Sequence, residues 1–272
     1  MSTYGVALEQ LCALRRHITR PQWITPSAAQ EAAGLGAGLD RAVPYYWAPD
    51  LVQLLAQVAP GLPGSWLLTP DVLPTPAGFA WFTLAIAPPS VEENHPIIAL
   101  NWYPHHLYGT EMLVLWAWTG DGEGHLLPVQ ISYWRFGTTL QQSQQNPGGD
   151  PLPECIRELA ALMAASFALM HQRVLVPRAT PADRPTRRRL RAIVPEPPLI
   201  RVVTLRRRAP RDPAATPHPV AWSWQWVVAG HWREQWCPAR RCHQPRWILP
   251  YVKGPADKPL KAPATRLFAV VH

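Results

Sequence analysis

The chain has 272 residues, of which 47% are hydrophobic, so it can bury one large core or two modest ones. It contains four cysteines, which are too few and too scattered for the disulfide framework of a small secreted protein. No uninterrupted apolar run reaches the roughly 18 residues of a membrane-spanning helix, and the N-terminus lacks a signal-peptide pattern. We therefore expect a soluble protein of the bacterial cytoplasm with no membrane partner.

Charge divides the chain near residue 150. Residues 1–150 carry five arginines, no lysine and eleven acidic residues, a net charge of −6. Residues 151–272 carry twenty-one lysines or arginines and seven acidic residues, a net charge of +14. A half-chain this basic attracts polyanions at long range. The expected domains are an acidic part over 1–150 and a basic part over 151–272, unless the two form one continuous domain.

The acidic part is predicted to contain short helices followed by an antiparallel sheet. Apolar residues at helical spacing predict a first helix over residues 5–19. A second short helix is predicted to start at Pro26-Ser27 and to end at the glycine cluster of Gly34, Gly36 and Gly38, and Asp50–Val58, between Pro49 and Pro60, is predicted to be a third. Alternating segments between turn residues predict four strands, at Phe79–Ala87, Pro96–Tyr103, Met112–Trp118 and Pro128–Phe136. Their connections are too short for parallel crossovers, so these strands should be antiparallel.

The basic part is predicted to contain one long apolar helix, from Pro153 to about Val174, after a polar linker over 141–151. The Pro- and Arg-rich segment Pro177–Pro198 predicts an exposed, mobile connection. Strands are expected at Leu199–Leu205 and Leu267–Val271. The predicted fold class is α+β, with a short helical N-terminus, a central antiparallel sheet, the apolar helix and a basic, Trp-rich C-terminal β part.

Six of the fourteen tryptophans lie between His218 and Pro255. Trp222, Trp224 and Trp226 alternate with other residues, which predicts a strand whose three indole rings lie in the core. Gly230 ends this pattern. We expect a long basic loop from there to a second strand over Arg246–Val252.

Aromatic planes mixed with cations favour nucleic acid as the ligand of this loop, because bases need stacking surfaces and phosphates need positive charge. The predicted nucleic-acid contacts combine this stretch with two upstream arginine clusters: Arg187, Arg188, Arg189, Arg206, Arg207, Arg208, His231, Trp232, Arg233, Trp236, Arg240, Arg241, Arg246 and Lys253. We expect RNA rather than DNA, or the ribosome. The alternative, which the residues alone weigh equally, is a Trp-rich core with a solvated basic loop.

Two other chemistries are weaker candidates. His231, Cys237, Cys242 and His243 contain zinc-ligand atoms, but the Cys-x4-Cys-His spacing is looser than that of common structural sites, so we predict no metal and no cofactor. His231 and His243 are also the weak candidates for the acid and base of a metal-independent ribonuclease. No further catalytic element accompanies them, so a non-enzymatic protein is expected.

The same stretch resembles a family of mobile-element proteins. Gly230-His231-Trp232, Trp236, Arg246-Trp247 and the Pro250–Gly254 segment are similar in order to the C-terminal tail of the type V-A anti-CRISPR family that provokes decay of the effector's messenger RNA. The clear match is confined to this tail, and Cys237 and Cys242 are not part of its pattern. The resemblance implies a phage- or mobile-element-encoded protein that acts on the expression of a target, through its message, the ribosome or the nascent peptide.

The leading hypothesis is thus a regulator associated with RNA, the ribosome or a nascent target protein. Two alternatives stay open at this point. One is a ribonuclease centred on His231, and the other is a structural or assembly protein of a phage.

Overall fold

The computed structural model describes residues 3–18, 29–86, 96–107, 109–120, 125–145, 149–172, 175–192, 194, 196–205, 224–255 and 258–259. The chain divides into two compact units, Met1–Arg206 and Arg207–His272. The change of charge at residue 150 falls inside the first unit and does not coincide with this division. The strand predicted at Leu267–Val271 lies outside the described residues.

The first unit is built on a seven-stranded sheet with the order β5-β4-β3-β2-β1-β7-β6. Its strands are β1 Val43–Trp47, β2 Gly78–Ile86, β3 Ile97–Leu107, β4 Thr110–Gly120, β5 Leu126–Arg135, β6 Leu175–Thr180 and β7 Ile200–Leu205. The four strands predicted in the acidic part correspond to β2–β5, and they pair antiparallel as expected.

The sheet is mixed rather than wholly antiparallel, which corrects the predicted fold class. β1 lies parallel to both of its neighbours, β2 and β7. A parallel pair needs a crossover connection. The helix Pro49–Val58 lies within the connection between β1 and β2, and residues 48–199 link β1 to β7.

Six helices accompany the described part of the sheet: α1 Thr3–Ile18, α2 Ala29–Arg41, α3 Pro49–Val58, α4 Leu140–Ser143, α5 Glu154–Met170 and α6 Arg184–Arg191. The predicted apolar helix corresponds to α5, with 17 residues. Helix α1 is nearly as long, at 16 residues. No described helix is both long enough and apolar enough to cross a membrane.

Both faces of the sheet are buried. Along β3, Asn101 and Tyr103 point to one face and Leu100 and Trp102 to the other, and all four are buried. The face of Tyr103 packs in a core cluster with residues of α1, α2 and α6. On the opposite face, Trp102 meets Phe167 of α5 edge-to-face with ring centroids 5.3 Å apart. The unit is therefore a three-layer arrangement of helices, sheet and helices.

The glycine cluster does not end the second helix, contrary to the prediction. Helix α2 runs through Gly34, Gly36 and Gly38 to Arg41. A Cβ atom at Gly38 would lie 2.4 Å from the ring of Tyr103, so the missing side chain lets the helix approach β3 closely. The close helix–sheet contact outweighs the low helix propensity of glycine.

The described residues of the segment Pro177–Pro198 are mostly exposed, as predicted, but they include regular secondary structure that was not predicted. Most of β6 and the whole of α6 lie in it. Asp183 caps α6 by accepting a hydrogen bond from the Thr186 backbone at 2.8 Å, and Thr186 and Leu190 are buried beneath the helix. Two buried positions per two turns suffice to hold a helix whose other side chains are mostly arginines.

The described residues of the second unit form four short strands, β8 Trp226–Val228, β9 His231–Cys237, β10 Cys242–Ile248 and β11 Tyr251–Lys253. β9 pairs with β10 and β8 pairs with β11, both antiparallel. The long loop predicted after Gly230 is therefore wrong, because His231–Cys237 is a strand. The single strand predicted over Arg246–Val252 is also wrong, since the chain leaves β10 after Ile248 and re-enters a different strand pair at Tyr251.

Candidate nucleic-acid interface

The residues from His231 to Ile248 form one β-hairpin, which we call the basic hairpin. Cys237 lies opposite Cys242 at the turn end, and His231 lies opposite Ile248 at the other end. Side chains alternate across a strand and directly opposed residues share a face, so the hairpin has two chemically different faces. The cationic face carries His231, Arg233, Gln235, Cys237, Cys242, Gln244, Arg246 and Ile248. The aromatic face carries Trp232, Glu234, Trp236, His243, Pro245 and Trp247.

Two arginines lie directly opposite each other on the cationic face. Arg233 of β9 pairs in register with Arg246 of β10. Arg246 Nη1 donates a hydrogen bond to Gln235 Oε1 at 3.1 Å, which orients its guanidinium. Both arginine side chains are exposed. The only acidic residue of the hairpin, Glu234, belongs to the opposite face, so no carboxylate shares the face with this pair.

Three tryptophans and a histidine line the aromatic face. Trp232 and Trp247 meet edge-to-face with ring centroids 5.4 Å apart, and Trp236 meets His243 in the same way at 5.2 Å. Trp232 and Trp247 are half-buried, whereas Trp236 remains 50% exposed. The first pair stabilises the hairpin, and Trp236 presents an indole ring to solvent, held by His243.

The turn of the hairpin brings two further cations to its tip. Pro238–Arg241 connects the strands, and the Arg240 backbone donates to Cys237 O at 3.1 Å. Arg241 adopts a left-handed φ of 51° to close the turn. Arg240 and Arg241 are both exposed. Residues 224–255 thus carry five lysines or arginines and one acidic residue.

The strand pair of β8 and β11 carries Lys253, another of the predicted nucleic-acid contacts. Lys253 lies opposite Trp226, with its Nζ 5.7 Å from the centre of the indole ring. Trp224 is 52% exposed and Trp226 is half-buried, so the prediction that these rings lie in the core is wrong for Trp224. The third tryptophan of the predicted strand, Trp222, lies outside the described residues. A pair of two short strands has too little surface to enclose such large rings.

A separate basic surface lies on α6 in the first unit. Arg187, Arg188 and Arg189 are exposed there, as predicted for ligand contacts, and Arg184 and Arg191 are exposed on the same helix. Arg189 Nε donates to Glu9 Oε1 at 2.6 Å, and Arg187 Nη2 donates to Ala182 O at 3.2 Å. Two of the three arginines therefore hold the helix in place. Arg206, Arg207 and Arg208 lie outside the described residues.

Sequence reasoning missed three residues of these surfaces. Arg178 is exposed on β6, and Arg184 begins α6. Gln235 orients Arg246, yet it had no distinguishing pattern in the sequence. The motif Asp-Arg-Pro-Thr at 183–186, an N-cap followed by Pro in the first turn, could have identified α6 and with it Arg184.

The hairpin separates the residues proposed for catalysis and metal binding. His231 lies on the cationic face and His243 on the aromatic face, five register positions apart, or roughly 16 Å along the strands. One acid–base pair at a single reacting group cannot be built from them. Cys237 and Cys242 are neighbours on the cationic face, and Cys237 Sγ donates to Gln244 Oε1 at 3.4 Å. Within the described residues, no three His, Cys, Asp or Glu side chains are arranged to hold a metal ion.

Comparison with known proteins gives little further information. No protein-family model matches the chain, and no curated protein matches it. Among solved structures, the crystal structure of AcrVA2, an anti-CRISPR protein, aligns with 90% of this chain and 85% of that chain. The sequence identity is 13% and the TM-score is 0.44, which is too low to show a shared fold or function.

Proposed function

We propose that this protein is an anti-CRISPR-like regulator encoded by a phage or other mobile element. In this proposal it acts on the expression of a target through contact with RNA, the ribosome or the nascent chain. The observation that carries the proposal is the basic hairpin, which keeps an arginine pair on one face and an exposed indole on the other. The similarity of the Gly-His-Trp tail to the type V-A family supplies the biological setting.

RNA suits the hairpin better than DNA does. A hairpin that only completes a core would bury Trp236, whereas an exposed indole can stack on an unpaired base. Unpaired bases are the usual partners of aromatic side chains in RNA recognition, because in a duplex the base faces are covered by stacking on neighbouring bases. The excess of cations over residues 224–255 provides the phosphate attraction that such binding needs.

Salt dependence of RNA binding tests the proposal. We expect the full chain to bind a labelled single-stranded RNA with an affinity that falls steeply as salt rises, because each neutralised phosphate releases counterions. The triple variant Arg187→Ala, Arg188→Ala, Arg189→Ala should flatten that slope if α6 contributes. Arg135→Gln, an exposed arginine on β5 outside both surfaces, is the matched control. An affinity that ignores salt would contradict the proposal.

A cellular silencing assay tests the regulatory part. We expect His231→Ala and Arg233→Ala to melt like the wild-type protein, because both side chains are exposed, and to lose silencing. If the two variants unfold, the Gly-His-Trp element is a structural contact instead. Shortening of the labelled RNA during incubation, abolished in His231→Ala, would favour the ribonuclease alternative, although the separation of His231 from His243 argues against it.

A further inference from the structure

We propose that Arg233 and Arg246 together bind one phosphodiester group on the cationic face of the basic hairpin, an arrangement that we call the clamp. This inference rests on the proposed function, and it identifies the two side chains that would bind the RNA backbone. The starting observation is the register, which places the two arginines directly opposite each other. Opposed residues in an antiparallel pair have Cβ atoms about 4.5–5.5 Å apart, so two guanidinium groups can converge on one ligand.

The pair is unfavourable for the free protein. Like charges directly opposite each other destabilise a strand pair. No other member of the face is a lysine, an arginine or a carboxylate, and Glu234 lies on the opposite face. For the Arg233 side chain, the part of the chain that the structure describes supplies no hydrogen bond or ion pair. An anion bound between the two guanidiniums would relieve this repulsion.

The geometry selects an anion with several acceptor oxygens. Arg246 is already oriented by its hydrogen bond to Gln235 Oε1 at 3.1 Å, which leaves other N–H groups of its fork available. A guanidinium donates two parallel hydrogen bonds to phosphate or carboxylate oxygens. The two non-bridging oxygens of a phosphodiester let two guanidiniums bind one group from different sides. The exposed indole on the reverse face favours a nucleic-acid strand over an acidic peptide as its source.

Binding of a fluorescent oligouridylate RNA to the full chain tests whether the two arginines share one phosphate. The variants are Arg233→Gln, Arg246→Gln and the double variant, with Arg135→Gln as the charge-matched control. If one phosphate is shared, each single variant loses about tenfold in affinity and the double variant loses much less than the product. The slope of log affinity against log salt should change little in the singles, because the remaining arginine still contacts the shared phosphate, and should decrease by about 0.7 in the double, where that one contact is lost.

Thermal melting without RNA gives an independent readout. Because the pair repels itself, Arg233→Gln should melt at or above the wild-type temperature, while the RNA-induced rise in Tm should shrink by the amount that a tenfold weaker affinity gives. Arg233→Lys keeps the charge and removes the planar fork, so it should retain the salt slope but lose affinity. A melting temperature of Arg233→Gln well below wild type would show that Arg233 is structural and would overturn the proposal.

The remaining outcomes separate the clamp from the proposed function. If the wild-type protein binds RNA but both arginine variants behave like Arg135→Gln, or if the losses simply add, the clamp is wrong and the RNA function stands. If RNA does not bind but inorganic pyrophosphate raises the wild-type Tm and not that of Arg233→Gln, the clamp stands and the RNA function fails. Tighter, Arg233-dependent binding of polyglutamate than of RNA would overturn the clamp in favour of a carboxylate partner.

Discussion

Replacement of Gly230 by alanine should loosen the basic hairpin without changing its charge. A methyl group at this position would lie 2.5 Å from Trp247 Cζ2 and 3.1 Å from Pro250 Cδ. Carbon atoms pack best about 3.5–4.0 Å apart, so the indole of Trp247 has to move by about 1 Å or more. The φ angle of Gly230 lies outside the left-handed region, so the backbone itself accepts alanine. The effect therefore measures the steric contact alone.

The expected cost follows from two contacts. Overpacking of a well-packed site costs about 1–3 kcal/mol. Displacing Trp247 also weakens its edge-to-face contact with Trp232, at 5.4 Å between centroids, and such a pair contributes about 0.5–1.5 kcal/mol. We predict a loss of about 1–4 kcal/mol for the second unit. In a unit this small each kcal/mol lowers Tm by about 4–8 °C, so the shift is easily measured.

Tryptophan fluorescence and near-ultraviolet circular dichroism during thermal unfolding are the suitable assays, since both report on Trp232 and Trp247. The control is Gly64→Ala, where the nearest atom to the added methyl, Gln141 Cβ, is 3.4 Å away. If Gly230→Ala and Gly64→Ala both melt like the wild-type protein, then Trp247 relaxes freely. The glycine of the Gly-His-Trp element would then have no packing role.

Three further experiments test the burial of two tryptophans and two cysteines and the cap of one helix. Trp102→Ala should lower the free energy of unfolding by about 3–5 kcal/mol, because the ring is fully buried, whereas Trp236→Ala should lower it by about 1 kcal/mol or less. Equal losses for the two variants in chemical denaturation would contradict the structure. Iodoacetamide should label the exposed Cys242 well before Cys12, since Cys12 is buried and burial raises the pKa of its thiol, which lowers the reactive thiolate fraction; mass spectrometry of the labelled peptides checks the order. Thr139→Ala should cost about 0.5–2 kcal/mol by removing the N-cap of α4, and an unchanged Tm would show that the cap is not needed.

The strands that sequence reasoning found are those whose sequences alternate and whose connections are short. β2–β5 meet both conditions, and their antiparallel pairing follows from the connections alone. β1, Val43–Trp47, was missed because it is five residues long, carries a proline and is buried at four of its five positions. A short, nearly continuous buried run has no period-two pattern. Its parallel pairing joins segments far apart in the chain, which local patterns do not encode.

The basic hairpin was missed for the opposite reason. Its strands do alternate, but between aromatic and cationic residues, and Ile248 is the one branched aliphatic residue among their fourteen, so no core-facing side is marked. Neither face is fully buried, so no hydrophobic periodicity develops. The residues that sequence reasoning proposed for ligand binding were nevertheless largely the exposed ones. The unusual Trp- and Arg-rich composition pointed to these residues, but only the strand register shows that Arg233 and Arg246 face each other.

The position of β1 has a consequence for how the protein is made. β1 hydrogen-bonds with β7 on one side, and Arg201 Nη1 donates to Tyr45 Oη at 3.1 Å across a separation of 156 residues. Pairing at such long range is slow, because a large loop has to close before any contact is gained. A ribosome that has synthesised only the acidic residues 1–150 therefore releases a sheet with one open edge at β1, which is a site for aggregation. A premature stop between β5 and β7 should give an insoluble fragment, even though most of the sheet is already encoded.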